Sequence, residues 1–317
     1  MNGNPFSFPD MSGWTPPVLT DLNALPHGDM PGDRISIHPE QVVKANTLFP
    51  PLMKCLQPPL EQNGRAVIGL FGGSGSGKSG MAALLGQYLR ELGLPCYILS
   101  GDNYPRRIPC QNDAERLRIF RCGGIKGLLT AGVYNETVRA ELEALQLAEL
   151  DADPSGRAQH PWLTLYQSAG RDALAGYLGG DAEQDFDALS TLLGRFKAGD
   201  QTLWLKRMGR TETALWYEKK DFSDIRVLIV EWTHGGSDRL QGVDVPILLG
   251  STPAETLAYR VSRARDGGAD SPFVTMVLEI EQRLLNSQAH KAALILSKNG
   301  ALLTSGQYHR LIAQEEE

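Results

Sequence analysis

The chain has 317 residues, 42% of them hydrophobic and 21% charged, which is enough apolar material for a sizeable core and excludes wholesale disorder. Its formal net charge is −6, with Lys and Arg spread along the chain, so a general nucleic-acid or anionic-membrane binder is not expected. No apolar run reaches the ~20 residues of a membrane helix, the start Met1-Asn2-Gly3-Asn4-Pro5 lacks a signal-peptide pattern, and Cys55, Cys96, Cys110 and Cys122 lack metal-ligand spacing, so a cytoplasmic protein with reduced thiols is expected.

Residues 1 to about 35 are rich in Pro, Gly, Asp and Asn without periodicity and read as an irregular arm. A helical pattern starts at His38-Pro39-Glu40 and runs to about Leu56, with an interruption expected at Pro50-Pro51. Residues 1–60 are taken as an N-terminal extension suited to packing or homo-oligomer contacts, and 61–317 as the main domain.

Strand and helix signals then alternate. Ala66 to Phe71 is a short apolar run followed by glycines, as expected of a strand buried on both faces. Met81, Leu84, Leu85, Tyr88, Leu89 and Leu92 lie on one helical face that ends at Gly93. Further strands are read at Cys96–Ser100, Val227–Val230 and Val245–Leu249. From about 111 to 200 the alternation breaks, and helical spacing at Asn135–Leu150 and Phe186–Phe196 points to a helical insertion. Thr252-Pro253-Ala254-Glu255 is a capping box, Ser271-Pro272 opens a helix to about Ala289, and Leu294–Leu296 with Ala301–Leu303 form a closing hairpin around Asn299-Gly300. The fold class is therefore α/β, a parallel sheet with helices on both faces and a helical insertion.

Gly72-Gly73-Ser74-Gly75-Ser76-Gly77-Lys78-Ser79 satisfies G-x-x-x-x-G-K-[ST] between a strand and a helix, with Gly80 next. Glycines let successive backbone N–H groups converge on phosphate oxygens, and the helix N-terminus adds its positive end. Lys78 is expected to reach the terminal phosphates and the Ser79 hydroxyl to ligate Mg²⁺, which makes ATP and Mg²⁺ the expected cofactors. Asp102, just past the second strand, is placed either to take a proton from an attacking hydroxyl or to cap a turn with Asn103. Glu231 ends an apolar strand, where it either attends Mg²⁺ or is an ordinary polar terminus. Arg260, Arg263 and Arg265 on one helical stretch either fold over a transferring phosphoryl group or form a solvated basic end.

The order of these motifs resembles the phosphoribulokinase/uridine kinase family of P-loop kinases, and Gly101-Asp102-Asn103 is also similar to the Gly-Asp-Asn of adenylylsulfate kinases. Asp102 to Tyr104 is similar to the family's Asp-x-(Phe/Tyr) segment, and Val227 to His234 to its apolar strand ending Glu-Gly-(Leu/Ile)-His, with Trp232 here in place of the usual Gly. Tyr259 to Asp266 is similar to its arginine lid, one residue short of R-x-x-R-x-x-R-D. The resemblance covers roughly residues 65–105 and 225–297.

It implies a P-loop fold and ATP-dependent phosphorylation of a metabolite hydroxyl. Asp102 would be the base, Ser79, Glu231 and Asp102 the magnesium side, and Lys78 with the three arginines the charge-neutralising groups. Substrate contacts are expected at Asp102, Tyr104, Arg106, Arg107 and His234, while Arg116, Arg118 and Arg121 either join them or pair with Asp113 and Glu115. Two other readings are a nucleotide-dependent switch or ATPase and an ATP sensor. No Asn-Lys-x-Asp or Leu-Ser-Gly-Gly-Gln occurs, and the Asp102 element has no evident task in a switch.

Overall fold

The computed structural model describes residues 7–33, 35–252, 255–256 and 271–315. Two compact units divide the chain, the first made of Met1–Tyr104, Asp185–Leu257 and Leu285–Glu317, the second of Pro105–Gln184 and Ala258–Leu284. Among the described residues no helix is long and apolar enough to cross a membrane.

The first unit is built on a six-stranded sheet. Its strands are β1 (Ala66–Gly72), β2 (Cys96–Ser100), β5 (Val227–Glu231), β6 (Val245–Leu249), β7 (Leu294–Leu296) and β8 (Leu302–Leu303), in the order β2-β5-β1-β6-β7-β8. Five run parallel and β8 closes the edge as an antiparallel hairpin with β7. β1 is buried along its whole length, as a central strand covered on both faces must be.

Alternate β1 residues feed different cores. Ala66, Ile68 and Leu70 pack with α1 (Pro39–Asn63) and α2 (Lys78–Glu91), whereas Val67 packs with α6 (Phe186–Lys197) and Leu203 and Leu205 of β3 (Thr202–Met208). A third cluster joins Phe71, Leu248 and Ile295 to Tyr308 and Ile312 of the C-terminal helix Ser305–Glu315. β3 pairs antiparallel with β4 (Leu215–Asp221), forming the hairpin that carries Lys206 and Arg207.

Two expectations need correction. α1 runs unbroken through Pro50, Pro51, Pro58 and Pro59, because its apolar stripe (Leu48, Phe49, Leu52, Met53, Leu56, Leu60) stays buried across them. The packing outweighs the hydrogen bonds the prolines cannot donate. α6, grouped with the insertion by its position in the chain, packs Leu189, Leu193 and Phe196 into the first unit's core. Periodicity gives a helix its apolar face but does not say which core receives it. The arm, irregular as expected, lays Phe8, Met11, Trp14, Leu19 and Leu22 on the core formed by α1 and α2.

The second unit is helical in its described residues. α3 (Pro109–Thr130), α4 (Glu136–Leu147), α5 (Leu163–Ala175) and residues of α7 (Pro272–Gln288) enclose Phe120, Leu142, Tyr166, Leu174, Met276 and Ile280. Asn135 caps α4 by accepting from Val138 N at 3.0 Å. The capping box at Thr252 and Glu255 closes through Thr252 N to Glu255 Oε2 at 2.9 Å and Glu255 N to Thr252 Oγ1 at 3.3 Å.

Candidate active site

The parallel strands end at one edge of the first unit, and the expected phosphate loop lies there. β1 ends at Gly72, Ser76 N donates to Gly73 O at 3.2 Å, and α2 starts at Lys78. Gly77, at φ 89°, turns the chain from loop into helix through the left-handed region that a side chain would resist. The Ser76 hydroxyl is buried and makes no hydrogen bond, as a donor waiting for an external oxygen would be. Lys78 Nζ donates to the carbonyls of Gly72 and Gly73, each at 3.0 Å, so the ammonium closes the mouth of its own loop.

Glu231 stands opposite. At the end of β5 it sits in register with Leu70 on one side and Ser100 on the other. Ser79 Oγ donates to its Oε2 at 2.9 Å, so the hydroxyl and the carboxylate form one pair of hard oxygen ligands. Glu231 is 6% exposed. Burial pushes its pKa up to about 7, the negative charge of Asp102 adds to the rise, and Lys78 with the Ser79 and Ser100 hydroxyls opposes it.

β2 leads directly into a 3-10 turn, Gly101–Asn103. Asp102 projects to the exposed side while Asn103 points inward and is fully buried. Asn103 Oδ1 accepts Met208 N from β3 at 3.0 Å, which ties the turn to the hairpin. A cavity of about 540 Å³ also exists along α4, lined by Asn135, Glu141 and Trp162, and no predicted site residue lines it. A pocket of about 80 Å³ lies past the ends of β6 and β7, lined by Gly250, Ser251, Ser297, Lys298 and Tyr308. The Ser251 hydroxyl there is buried without a hydrogen-bond partner.

The other predicted residues are distributed differently. Tyr104 is 2% exposed and packs in the core with Phe186 and Trp232 rather than facing solvent. His234 is also buried, edge-on to Trp232 with ring centroids 5.3 Å apart. Arg106 and Arg107 belong to the second unit, where Arg106 Nε donates to Asp181 O at 2.5 Å and Arg107 Nη1 to Ala182 O at 3.0 Å. Arg116, Arg118 and Arg121 are paired with Glu183, Glu115 and Asp151. Arg260, Arg263 and Arg265 lie outside the described residues.

Sequence reasoning missed the arm's part in this region. Gly28 lies against Glu231, since a Cβ on it would stand 2.8 Å from Glu231 Oε1. Asp29, beside it, is bound to Ser100 and Asn103. No local signal marks these two, because their partners stand far along the chain.

A phosphate loop after the first strand, at the edge of a β2-β5-β1-β6-β7 parallel sheet with helices on both faces, decides the fold. It is of the P-loop NTPase type. No family model matches the chain. It is 40% identical, over 238 residues, to the bifunctional alpha-galactosidase/sucrose kinase AgaSK of Mediterraneibacter gnavus; the match takes in 75% of this chain and 20% of that protein. The chain thus spans about a fifth of the length of that relative. Among solved structures, one under the name of fructose transport system kinase, from Silicibacter sp. TM1040, has 19% identity, covers 77% of this chain and 94% of that one, and has a TM-score of 0.46. Another, under the name of uridine kinase, from Bacillus stearothermophilus, has 16% identity, covers 73% and 88%, and has a TM-score of 0.37.

Proposed function

We propose that the chain is an ATP-dependent kinase that phosphorylates a hydroxyl of a sugar. One observation carries the reading: a phosphate loop whose Ser79 is bonded to Glu231 shares a sheet edge with the turn that presents Asp102. The Asp102 carboxylate stands near enough to Glu231 to raise the cost of ionising it. In phosphoryl transfer a carboxylate at this place serves as the acceptor of the hydroxyl proton.

The residues fit MgATP. The buried, unpartnered Ser76 hydroxyl and the backbone amides of Gly73 to Lys78 suit phosphate oxygens, while Ser79, Glu231 and Asp102 suit Mg²⁺. Bound there, the ion neutralises charge on the terminal phosphates. Lys78 exchanges the carbonyls of Gly72 and Gly73 for phosphate oxygens and holds the chain of phosphates in place. The Asp102 carboxylate takes the proton of the attacking hydroxyl, and Arg260, Arg263 and Arg265 are assigned to charge developing on the transferred group. We assign the pocket of Gly250, Ser251, Ser297 and Lys298 to the nucleotide base.

The 40% identical relative supports a sugar as the acceptor. Of the two activities in its name, only the kinase calls for a nucleoside triphosphate, and the matched chain has a phosphate loop. The test is ADP release in the presence of sucrose, other di- and monosaccharides, sugar phosphates and nucleosides. A sugar is expected to stimulate release, and Asp102→Asn to cut it at least ~100-fold with ATP binding intact. Basal hydrolysis that no acceptor stimulates and Asp102→Asn leaves unchanged would replace this reading with a switch or sensor.

A further inference from the structure

The arm contributes one nearly buried carboxylate to the first unit. The Asp29 side chain is 10% exposed and every one of its lone-pair directions is engaged. Oδ1 accepts Ser100 N at 2.8 Å and Asn103 Nδ2 at 3.0 Å. Oδ2 accepts Tyr97 OH at 2.9 Å and pairs with Arg207 Nη1 at 2.8 Å. Ser100 and Asn103 bracket the 3-10 turn that presents Asp102, so Asp29 grips that turn from both ends.

The grip is braced from behind. Arg207 is 4% exposed and also donates to Tyr97 OH at 3.0 Å and to Glu218 Oε2 at 3.2 Å. Asn103, held by Asp29 through its amide nitrogen, accepts Met208 N through its amide oxygen. One residue earlier Gly28 lies on Glu231, so two consecutive arm residues touch both halves of the candidate site. An arm that needed only to adhere is already served by Trp14, whose ring packs tilted against Phe49 and Tyr88 with centroids 5.0 and 6.0 Å away. Burying a carboxylate for adhesion is a poor choice, because its desolvation costs several kcal/mol before any bond is made. Burial indeed raises the pKa of Asp29, against the pull of Arg207, Ser100 N–H and Tyr97.

Resting on the kinase reading, we propose that Asp29 is a positioning residue for phosphoryl transfer. It fixes the Ser100–Asn103 turn so that Asp102 meets the acceptor hydroxyl in register with the phosphate loop. The arm is then part of the catalytic apparatus and not an appendage.

Three variants of the full chain test this: Asp29→Ala, Asp29→Asn and, as a control for adhesion, Trp14→Ala. Displacing a catalytic group by about 1 Å is enough to cost ~100-fold, so kcat for sugar phosphorylation is expected to fall by roughly that factor in Asp29→Ala, with KM for ATP within about 2-fold of wild type. Hydrogen exchange at the Ser100 amide should quicken at least ~10-fold in the same variant, whose backbone donor has lost its acceptor. Asp29→Asn, which keeps one carbonyl oxygen, should fall between. Trp14→Ala should lower the thermal midpoint and leave kcat of the folded protein alone. Unchanged Ser100 exchange in Asp29→Ala overturns the proposal, as does a loss of activity that merely tracks the fraction unfolded. Exchange needs no acceptor, so quickened exchange in a chain that phosphorylates nothing sinks the kinase reading while the grip on the turn stands.

Discussion

Gly101 and Trp232 are fitted to each other. A Cβ on Gly101 would come within 2.1 Å of Trp232 Cγ and 2.5 Å of its Cβ, and Trp232 is 1% exposed between Phe186 and His234. The indole stands where the resembled family carries glycine, and the room it needs is supplied by the glycine ahead of Asp102. The pair should therefore couple. Gly101→Ala alone is expected to cost about 1–3 kcal/mol by overpacking, and Trp232→Gly alone at least about 3 kcal/mol by the cavity it leaves. In the double variant the added methyl has space, so the sum of the two penalties should exceed the measured one by ~1–3 kcal/mol. Urea midpoints of the four proteins read this, and strict additivity would show that the close approach is relieved at no cost. The sequence shows each residue but not the pairing. The phosphate loop, Asp102 and Glu231 are legible because their chemistry is local to a motif or a strand end. Asp29 is not, because its meaning lies in Ser100, Asn103 and Arg207, which only the folded chain brings to it.

At the level of elements, the pattern of apolar residues carries most of the information and proline punctuation misleads once. β1, β2, β5 and β6 fall where short apolar runs put them, and the β7–β8 hairpin turns at Asn299-Gly300 as that dipeptide favours. α1 is the exception, since four interior prolines argue for a break and a continuous buried stripe overrides them. That conflict predicts a gain. Pro58 is exposed, so replacing it removes no packing and returns a donor that can reach the carbonyl of Lys54. Proline in a helix interior is about 3 kcal/mol worse than alanine, and the extra freedom of the unfolded chain takes back ~0.4–1 kcal/mol. Pro58→Ala should thus raise stability by ~2 kcal/mol, seen as a higher thermal midpoint. A lower midpoint would mean that α1 is bent around its prolines and that the bend is part of its packing.

At the scale of the molecule, two cores account for what local patterns leave open. Helical periodicity finds α4 and α6 alike, yet α6 buries its stripe under the sheet while α4 buries its own with α3 and α5. The second unit also holds a polar cluster around one buried residue. Glu183 has no exposed surface; its Oε1 accepts Asn112 Nδ2 at 3.0 Å and Arg116 Nε at 2.7 Å, and its Oε2 accepts Gly179 N at 2.7 Å. Arg116 continues to Glu281 of α7, with Nη2 3.5 Å from its Oε1. Arg116, one of the arginines that could have suggested an anionic acceptor, is thus engaged inside this unit, and removing Glu183 would leave its 17%-exposed side chain with only the longer contacts to Asp113 and Glu281. Loss of one partner from such a pair costs about 3–5 kcal/mol. In Glu183→Ala, amide protection should drop in α3 and α5, whose contact is made at Phe120 and Tyr166 with ring centroids 5.5 Å apart. Amides of β1 and β5 should keep theirs, since the bonds that hold them are to each other and to β2 and β6. Native-state hydrogen exchange distinguishes the cases. Equal loss in the strands and in the helices would mean that the two cores open as one cooperative body, and the division would then be one of packing only.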